Sequence, residues 1–113
     1  MHEMALAESI LEVVEQAARA QQCTRVTAIR LEIGTLAGIE VSALRFGLEV
    51  VLAHSLACEA RLDIDTLEGE GWCMHCSRNV PLMALYDPCP SCGGYQIQPL
   101  RGTEMRVKEI LAL

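Results

Sequence analysis

The chain has 113 residues, enough for one domain or for one small domain with a second, smaller module. Half of the residues are apolar (51%), and the formal net charge is −6. This acidic balance argues against nucleic acids and anionic membranes as partners, because their phosphate groups are bound by lysine and arginine. No apolar run reaches the roughly 18 residues of a membrane helix, and the first residues lack the basic segment of a secretory signal. The sequence therefore predicts a cytoplasmic protein.

The first predicted element is an amphipathic helix over residues 5–22, with apolar side chains at helical spacing. These apolar positions are Leu6, Ile10, Val13, Val14, Ala17 and Ala18. Acidic residues lie largely on its other faces. Glu3 and Glu8 also suit the positive end of the helix dipole, which supports a helix start near this point.

A strand is predicted next, over residues 25–33, because apolar and charged side chains alternate there. Gly34 and Gly38 then bracket a turn. Ser42 is predicted to cap a second helix that runs to about His54.

Two more strands are predicted on either side of a cysteine-rich segment. Leu62 and Ile64 alternate with charged residues, and residues 105–110 form the third strand, although a short helix fits them too. Two helices on one face of a small mixed sheet give an α+β fold. We expect residues 1–68 and 103–113 to form this α/β domain, with residues 69–102 inserted as a separate module.

The cysteine-rich segment contains two CxxC pairs, Cys73 with Cys76 and Cys89 with Cys92, separated by twelve residues. Each short turn lets two sulfurs converge on one ion, and two turns complete a tetrahedron. Four soft sulfur ligands suit zinc, and a shell filled by protein leaves no open position for catalysis. The spacing therefore predicts a structural zinc site.

Two other interpretations of this segment are open. Trp72, Tyr86 and Tyr95 could stack on nucleic acid bases, but no basic stripe accompanies them. The cysteines could also be redox-active dithiols, although two pairs at this spacing in a chain without an export signal are more typical of reduced metal ligands. His75 lies within the first pair and could join a nearby metal.

The start of the chain is a second candidate metal site. His2 is too large for removal of the preceding methionine, so we expect Met1 to keep a free amine. This amine, the His2 backbone nitrogen and the His2 imidazole can bind one ion in fused chelate rings, and a nitrogen or oxygen of Glu3 could complete a square plane. Such nitrogen-rich sites suit Ni(II) or Cu(II).

The order of these features resembles the HypA/HybF family of nickel metallochaperones for hydrogenase maturation. The similarity rests on the opening Met-His-Glu-Met, the acidic first helix, residues 25–34 (RVTAIRLEIG), residues 43–46 (ALRF) and the paired CxxC motifs. It extends over essentially the whole chain.

The resemblance implies nickel bound by Met1, His2 and Glu3, with His2 indispensable. It implies zinc on the four cysteines, Cys73, Cys76, Cys89 and Cys92. The partners it implies are the GTPase HypB and the hydrogenase large-subunit precursor, and some members also serve urease. Some members add a zinc-domain histidine to the nickel shell, and His75 is the one histidine of this module.

Three functions follow from these features. The first is nickel delivery by a protein that is not an enzyme and that is a monomer or a homodimer. The second is a zinc-ribbon adaptor that acts through protein contacts alone. The third, a hydrolase or an oxidoreductase, is disfavoured because the sequence contains no Ser-His-Asp set, no phosphate-binding loop and no open three-ligand metal set.

Overall fold

The structure is a computed structural model that describes residues 2–113. Within this part of the chain two helices and six strands follow one another. In chain order they are α1 (Glu3–Ala20), β1 (Val26–Gly34), α2 (Val41–Leu52), β2 (Arg61–Leu67), β3 (Gly69–Cys73), β4 (Arg78–Leu82), β5 (Ile97–Arg101) and β6 (Met105–Ala112). Two helices with small sheets confirm the predicted α+β class.

The chain divides into two compact units. The first comprises the residues up to Leu31, Ile39–Ile64 and Val107–Leu113, and the second comprises Glu32–Gly38 and Asp65–Arg106. The division predicted from the sequence, residues 1–68 with 103–113 and residues 69–102, stays a prediction.

The core of the first unit lies where the apolar faces of α1, α2 and β1 are buried. The buried side chains include Ala7, Ile10, Val14 and Ala18 of α1, Leu44, Leu48 and Leu52 of α2, and Val26, Ala28, Ile29 and Leu31 of β1. The helices approach closely at Gly47, where an added Cβ would lie 3.4 Å from the Cβ of Ala7. The helical spacing of apolar residues in the sequence thus corresponds to a buried helix pair.

The cap of α2 differs from the prediction. Glu40, and not Ser42, is the N-cap, with an extended backbone. Its carboxylate accepts hydrogen bonds from the Ser42 backbone N–H at 3.3 Å and from the Ser42 hydroxyl at 2.6 Å. From the N-cap position, the Glu40 carboxylate reaches a free N–H group of the first helical turn. The Ser42 hydroxyl therefore donates a hydrogen bond to this carboxylate and does not itself cap the helix.

Strands β2, β1 and β6 form one three-stranded sheet, with β1 in the centre. Leu113 N–H donates to Arg25 O at one end of β1, and Gly34 N–H donates to Glu104 O at the other, so β6 runs antiparallel to β1. Thr35 N–H donates to Leu67 O, where β1 and β2 both end, which indicates a parallel pair. The sheet is therefore mixed, as predicted, and residues 105–112 form a strand and not a helix.

The second sheet, in the order β4-β3-β5, is antiparallel and belongs to the second unit. Its small buried cluster consists of Cys73, Val80 and Cys89, with Cys76 and Ile97 packed against it. Three of these five residues are cysteines of the CxxC pairs. Leu82 is the other buried apolar side chain of these strands, so we expect folding of this sheet to depend on a metal bound by the cysteines.

The helices of residues 2–113 are all too short or too polar to cross a membrane.

Candidate metal sites

The four cysteines of the CxxC pairs lie together, with all four Sγ atoms within 4.8 Å of one another. The Sγ atoms of Cys73 and Cys92 are 3.7 Å apart, and those of Cys76 and Cys89 are 3.9 Å apart. These close contacts join one CxxC turn to the other. The predicted convergence of two half-sites is therefore present.

The two CxxC turns have matching backbone geometry. Ser77 N–H donates to Cys73 O at 2.8 Å, and Gly93 N–H donates to Cys89 O at 2.9 Å. Ser77 and Gly93, each four residues after the first cysteine of its pair, have positive φ angles of 53° and 73°. Glycine adopts this conformation without strain, whereas serine does so at a cost that the rest of the turn must offset.

Backbone N–H groups point at the sulfurs. Ser91 N–H donates to Cys89 Sγ, Cys76 N–H to Cys73 Sγ and Gly94 N–H to Cys92 Sγ, each at 3.4 Å. Such donors stabilise thiolates over thiols. The N–H groups of Cys92 and Ser91 lower the pKa of the Cys89 thiol to about 6.

The sulfurs also oppose one another's ionisation. The Cys92 thiol, followed by burial and the other two cysteines, raises the pKa of Cys76 to about 12. Four thiolates at these distances repel each other, and a bound dication removes that penalty. The donor set thus fits a tetrahedral metal ion such as zinc, with no position left for a substrate.

The second predicted site begins at Met1, which lies outside the described residues. His2 is the exposed N-cap of α1; its carbonyl accepts a hydrogen bond from Leu6 N–H at 3.0 Å, and its side chain makes no capping hydrogen bond. Glu3 is the first helical residue. The N–H groups of a first helical turn have no acceptor within the helix, so the backbone nitrogen of Glu3 is not engaged by α1.

The carboxylate of Glu3 has a partner that the sequence did not reveal. Its Oε2 accepts a hydrogen bond from Glu40 N–H at 3.1 Å, just before α2. This hydrogen bond holds the pKa of Glu3 below its ordinary value. No periodicity connects residues 37 positions apart, so only the packing of the helices could identify Glu40 as part of this end of the molecule.

His75 is exposed and lies outside the group of four sulfurs. It lines a cavity of about 360 Å³ together with Cys73, Cys92 and Tyr95. His2 and Glu3 belong to the first compact unit, whereas His75 and the four cysteines belong to the second.

Comparison with known proteins identifies the family. The family model described as "HypA: Hydrogenase/urease nickel incorporation, metallochaperone, hypA" matches residues 1–112. The chain is 57% identical over 110 residues to "Hydrogenase maturation factor HypA" of Azoarcus sp. (strain BH72), covering 97% of this chain and 96% of that protein. It is 50% identical to the protein of the same name from Dechloromonas aromatica (strain RCB), with 97% of each chain covered.

A solved structure shows the same fold. The "Solution structure of the Ni metallochaperone HypA from Helicobacter pylori" matches with a TM-score of 0.70 and 28% identity, over 100% of this chain and 98% of that one. The predicted resemblance is therefore confirmed. The chain belongs to the HypA family of hydrogenase/urease nickel incorporation metallochaperones.

Proposed function

We propose that this protein binds Ni(II) at Met1, His2 and Glu3 and delivers it for the maturation of NiFe-hydrogenase. The family match over residues 1–112 carries the proposal, because that family is described by nickel incorporation. The family description also covers urease, so the same delivery step could serve either nickel enzyme. Delivery is ligand exchange and not catalysis, and the protein is not an enzyme.

The surroundings of His2 and Glu3 support the nickel site. The His2 side chain is exposed and makes no capping hydrogen bond, so its imidazole is accessible to an ion. The His2 imidazole and backbone nitrogen form a six-membered chelate ring, and the Met1 amine adds a five-membered one. Glu3 supplies its backbone nitrogen or its second carboxylate oxygen, because Oε2 accepts the Glu40 N–H.

Nickel is favoured over zinc at such a site by its chemistry. Ni(II) forms planar complexes with nitrogen-rich ligands and can drive the deprotonation of a backbone amide, which Zn(II) generally does not. The four-sulfur cluster has the opposite character. We propose that it holds a structural Zn(II) on Cys73, Cys76, Cys89 and Cys92, so the two ions are sorted by donor type.

We also propose the partners that the family resemblance implies. They are the GTPase HypB and the hydrogenase large-subunit precursor, and they act with this protein in the cytoplasm. A partner that offers competing ligands takes the ion, since the planar site can be dismantled one ligand at a time.

The test is a nickel titration of untagged protein whose Met1 is verified by intact mass spectrometry. We expect one zinc per chain as purified and one added nickel, with the absorption band of planar, diamagnetic Ni(II). His2→Ala should lose the nickel and keep the zinc. His54→Ala is the matched control, because His54 is an exposed histidine just after α2 and should not alter either metal.

The result that contradicts the proposal is equally clear. Nickel binding that survives His2→Ala, or survives a blocking tag on the terminal amine, places the ion elsewhere. A chain that binds zinc alone supports the adaptor function instead.

A further inference from the structure

The aromatic side chains of this protein lie outside its buried core. The chain has four of them, and Phe46 (65% exposed), Trp72, Tyr86 and Tyr95 are all accessible. Phe46 lies on α2, one turn before Val50, which is also accessible (48%). Because residues four apart share a helix face, these two side chains form a continuous apolar strip.

A third exposed apolar residue lies on α1, close to the point where it crosses α2. Gly47, which follows Phe46, lies at the crossing of α1 and α2, where an added Cβ would lie 3.8 Å from the Cα of Met4. Met4 is 45% exposed. We call Met4, Phe46 and Val50 the apolar helix face; all three belong to the first compact unit.

The apolar helix face borders the proposed nickel ligands. Met4 directly follows His2 and Glu3, and the Glu3 carboxylate accepts the Glu40 N–H at the start of α2. A protein that covers this face therefore touches the end of the molecule where nickel is proposed to bind.

The charges around the face restrict what can cover it. Helix α1 carries four acidic residues, including the exposed Glu8 and Glu12 one and two turns beyond Met4, against Arg19 alone. Exposed Glu49 precedes Val50. On α2, the Arg45 guanidinium is directed to Leu62 O, to which it donates at 3.3 Å.

This excess of carboxylates disfavours several occupants. Nucleic acids and anionic lipid surfaces are repelled. A second copy of the same face would bring the same acidic residues together across a two-fold axis. A partner with an apolar pocket surrounded by lysine and arginine is complementary in both respects.

We propose that the apolar helix face is the docking surface for a protein of the nickel-delivery pathway that presents such a basic-rimmed apolar pocket. Phe46 is the central anchor, since buried aromatic side chains carry a large share of binding energy at interfaces. The identity of the partner class rests on the proposed function, whereas the surface itself does not.

The experiment measures binding of the purified GTPase HypB and of the purified hydrogenase large-subunit precursor by calorimetry. Phe46→Ser should weaken the binding of at least one of them by about tenfold or more. Glu8→Gln with Glu12→Gln should weaken the same complex and reduce its dependence on salt, because fewer charges then attract the partner. Each variant is also titrated with nickel, and we expect one bound ion, as in the wild type.

Val13→Ser is the matched control. Val13 is also an exposed apolar residue of α1 (47%), but it lies nine positions from Met4, about 180° around the helix. Tyr86→Ser serves the same purpose in the second unit, where Tyr86 is 88% exposed. Both controls should bind the partner as the wild type does.

Several outcomes overturn the docking surface. The first is that Phe46→Ser binds both partners as tightly as the wild type does. The second is that Val13→Ser loses as much affinity as Phe46→Ser. The third is that the wild type binds neither partner. Self-association of the wild type that Phe46→Ser abolishes makes a second copy the occupant. If the wild type takes up no nickel but still loses its partner through Phe46→Ser, the proposed function fails and the docking surface stands.

Discussion

Gly34 shows how strongly a single residue can be constrained in this chain. An added Cβ at Gly34 would lie 2.0 Å from the carbonyl oxygen and 2.6 Å from the Cα of Gly102. Both are backbone atoms, and Gly34 N–H and Leu36 N–H donate to Glu104 O and Gly102 O at 2.9 and 2.7 Å. A side chain at this position must therefore break backbone hydrogen bonds, since no flexible group can move aside.

We expect Gly34→Ala to lower the free energy of unfolding by about 2–4 kcal/mol, measured by urea denaturation with zinc in the buffer. Gly47→Ala is the comparison, because its Cβ would meet the Cβ of Ala7 at 3.4 Å and alanine also favours a helix. That variant should change the stability by less than about 1 kcal/mol. Equal effects of the two substitutions would show that the approach of Gly34 to Gly102 is not what constrains the position.

The candidate sites differ in how well single residues could be assigned from the sequence. The four cysteines were found because their spacing is local and their chemistry is specific. The Glu3–Glu40 hydrogen bond and the approach of Gly34 to Gly102 were not, because each joins residues far apart in the chain. The chelate chemistry of Met1, His2 and Glu3 indicated a site for Ni(II) or Cu(II), the family resemblance implied nickel, and the assignment stays a prediction.

At the scale of helices and strands, local amphipathic patterns were informative. Helices α1 and α2 and strands β1, β2 and β6 lie within two or three residues of their predicted positions. Strands β3, β4 and β5 were not predicted as strands. The sequence of β3, GEGWC, has no clear alternation of apolar and polar residues, and its pairing with β4 and β5 depends on the turns that the cysteines close.

This dependence predicts that metal removal unfolds one sheet selectively. The cluster of β3, β4 and β5 consists of three cysteines, Val80 and Ile97, and the other buried apolar side chain of these strands is Leu82. We expect these few apolar groups not to hold the strands without a metal on the cysteines. The buried residues of α1 and α2 include no cysteine. We therefore expect a strong chelator under reducing conditions to disorder the second sheet while the helices persist.

Two spectroscopic signals separate these events. Trp72, the single tryptophan, lies on β3 beside Cys73, so its fluorescence reports on the second sheet. Circular dichroism at 222 nm reports on the helices. Cys89→Ser should reproduce the fluorescence change without chelator, and Cys58→Ser, at an exposed cysteine outside the CxxC pairs, should not. Simultaneous loss of both signals would contradict the prediction.

At the scale of the whole molecule, the two candidate metal sites differ in how strongly their metal binding should depend on pH. The four thiols are crowded, and the donors around Cys89 already lower its pKa to about 6. A metal on the cysteines is retained by a closed shell of four ligands. Nickel at the proposed site of the chain start would instead displace protons from the Met1 amine and at least one backbone amide.

We therefore expect mild acidification to release nickel before zinc. If binding displaces one net proton, the nickel Kd rises about tenfold for each unit by which the pH falls. If binding displaces two protons, the rise is about a hundredfold for each unit. The measurement is equilibrium dialysis of the loaded, untagged protein between pH 8 and pH 6, with both metals quantified. His54→Ala should release nickel along the same curve as the wild type. Zinc leaving first, or nickel retention that does not change with pH, would mean that the cargo is not held by the amine and amide nitrogens of the chain start.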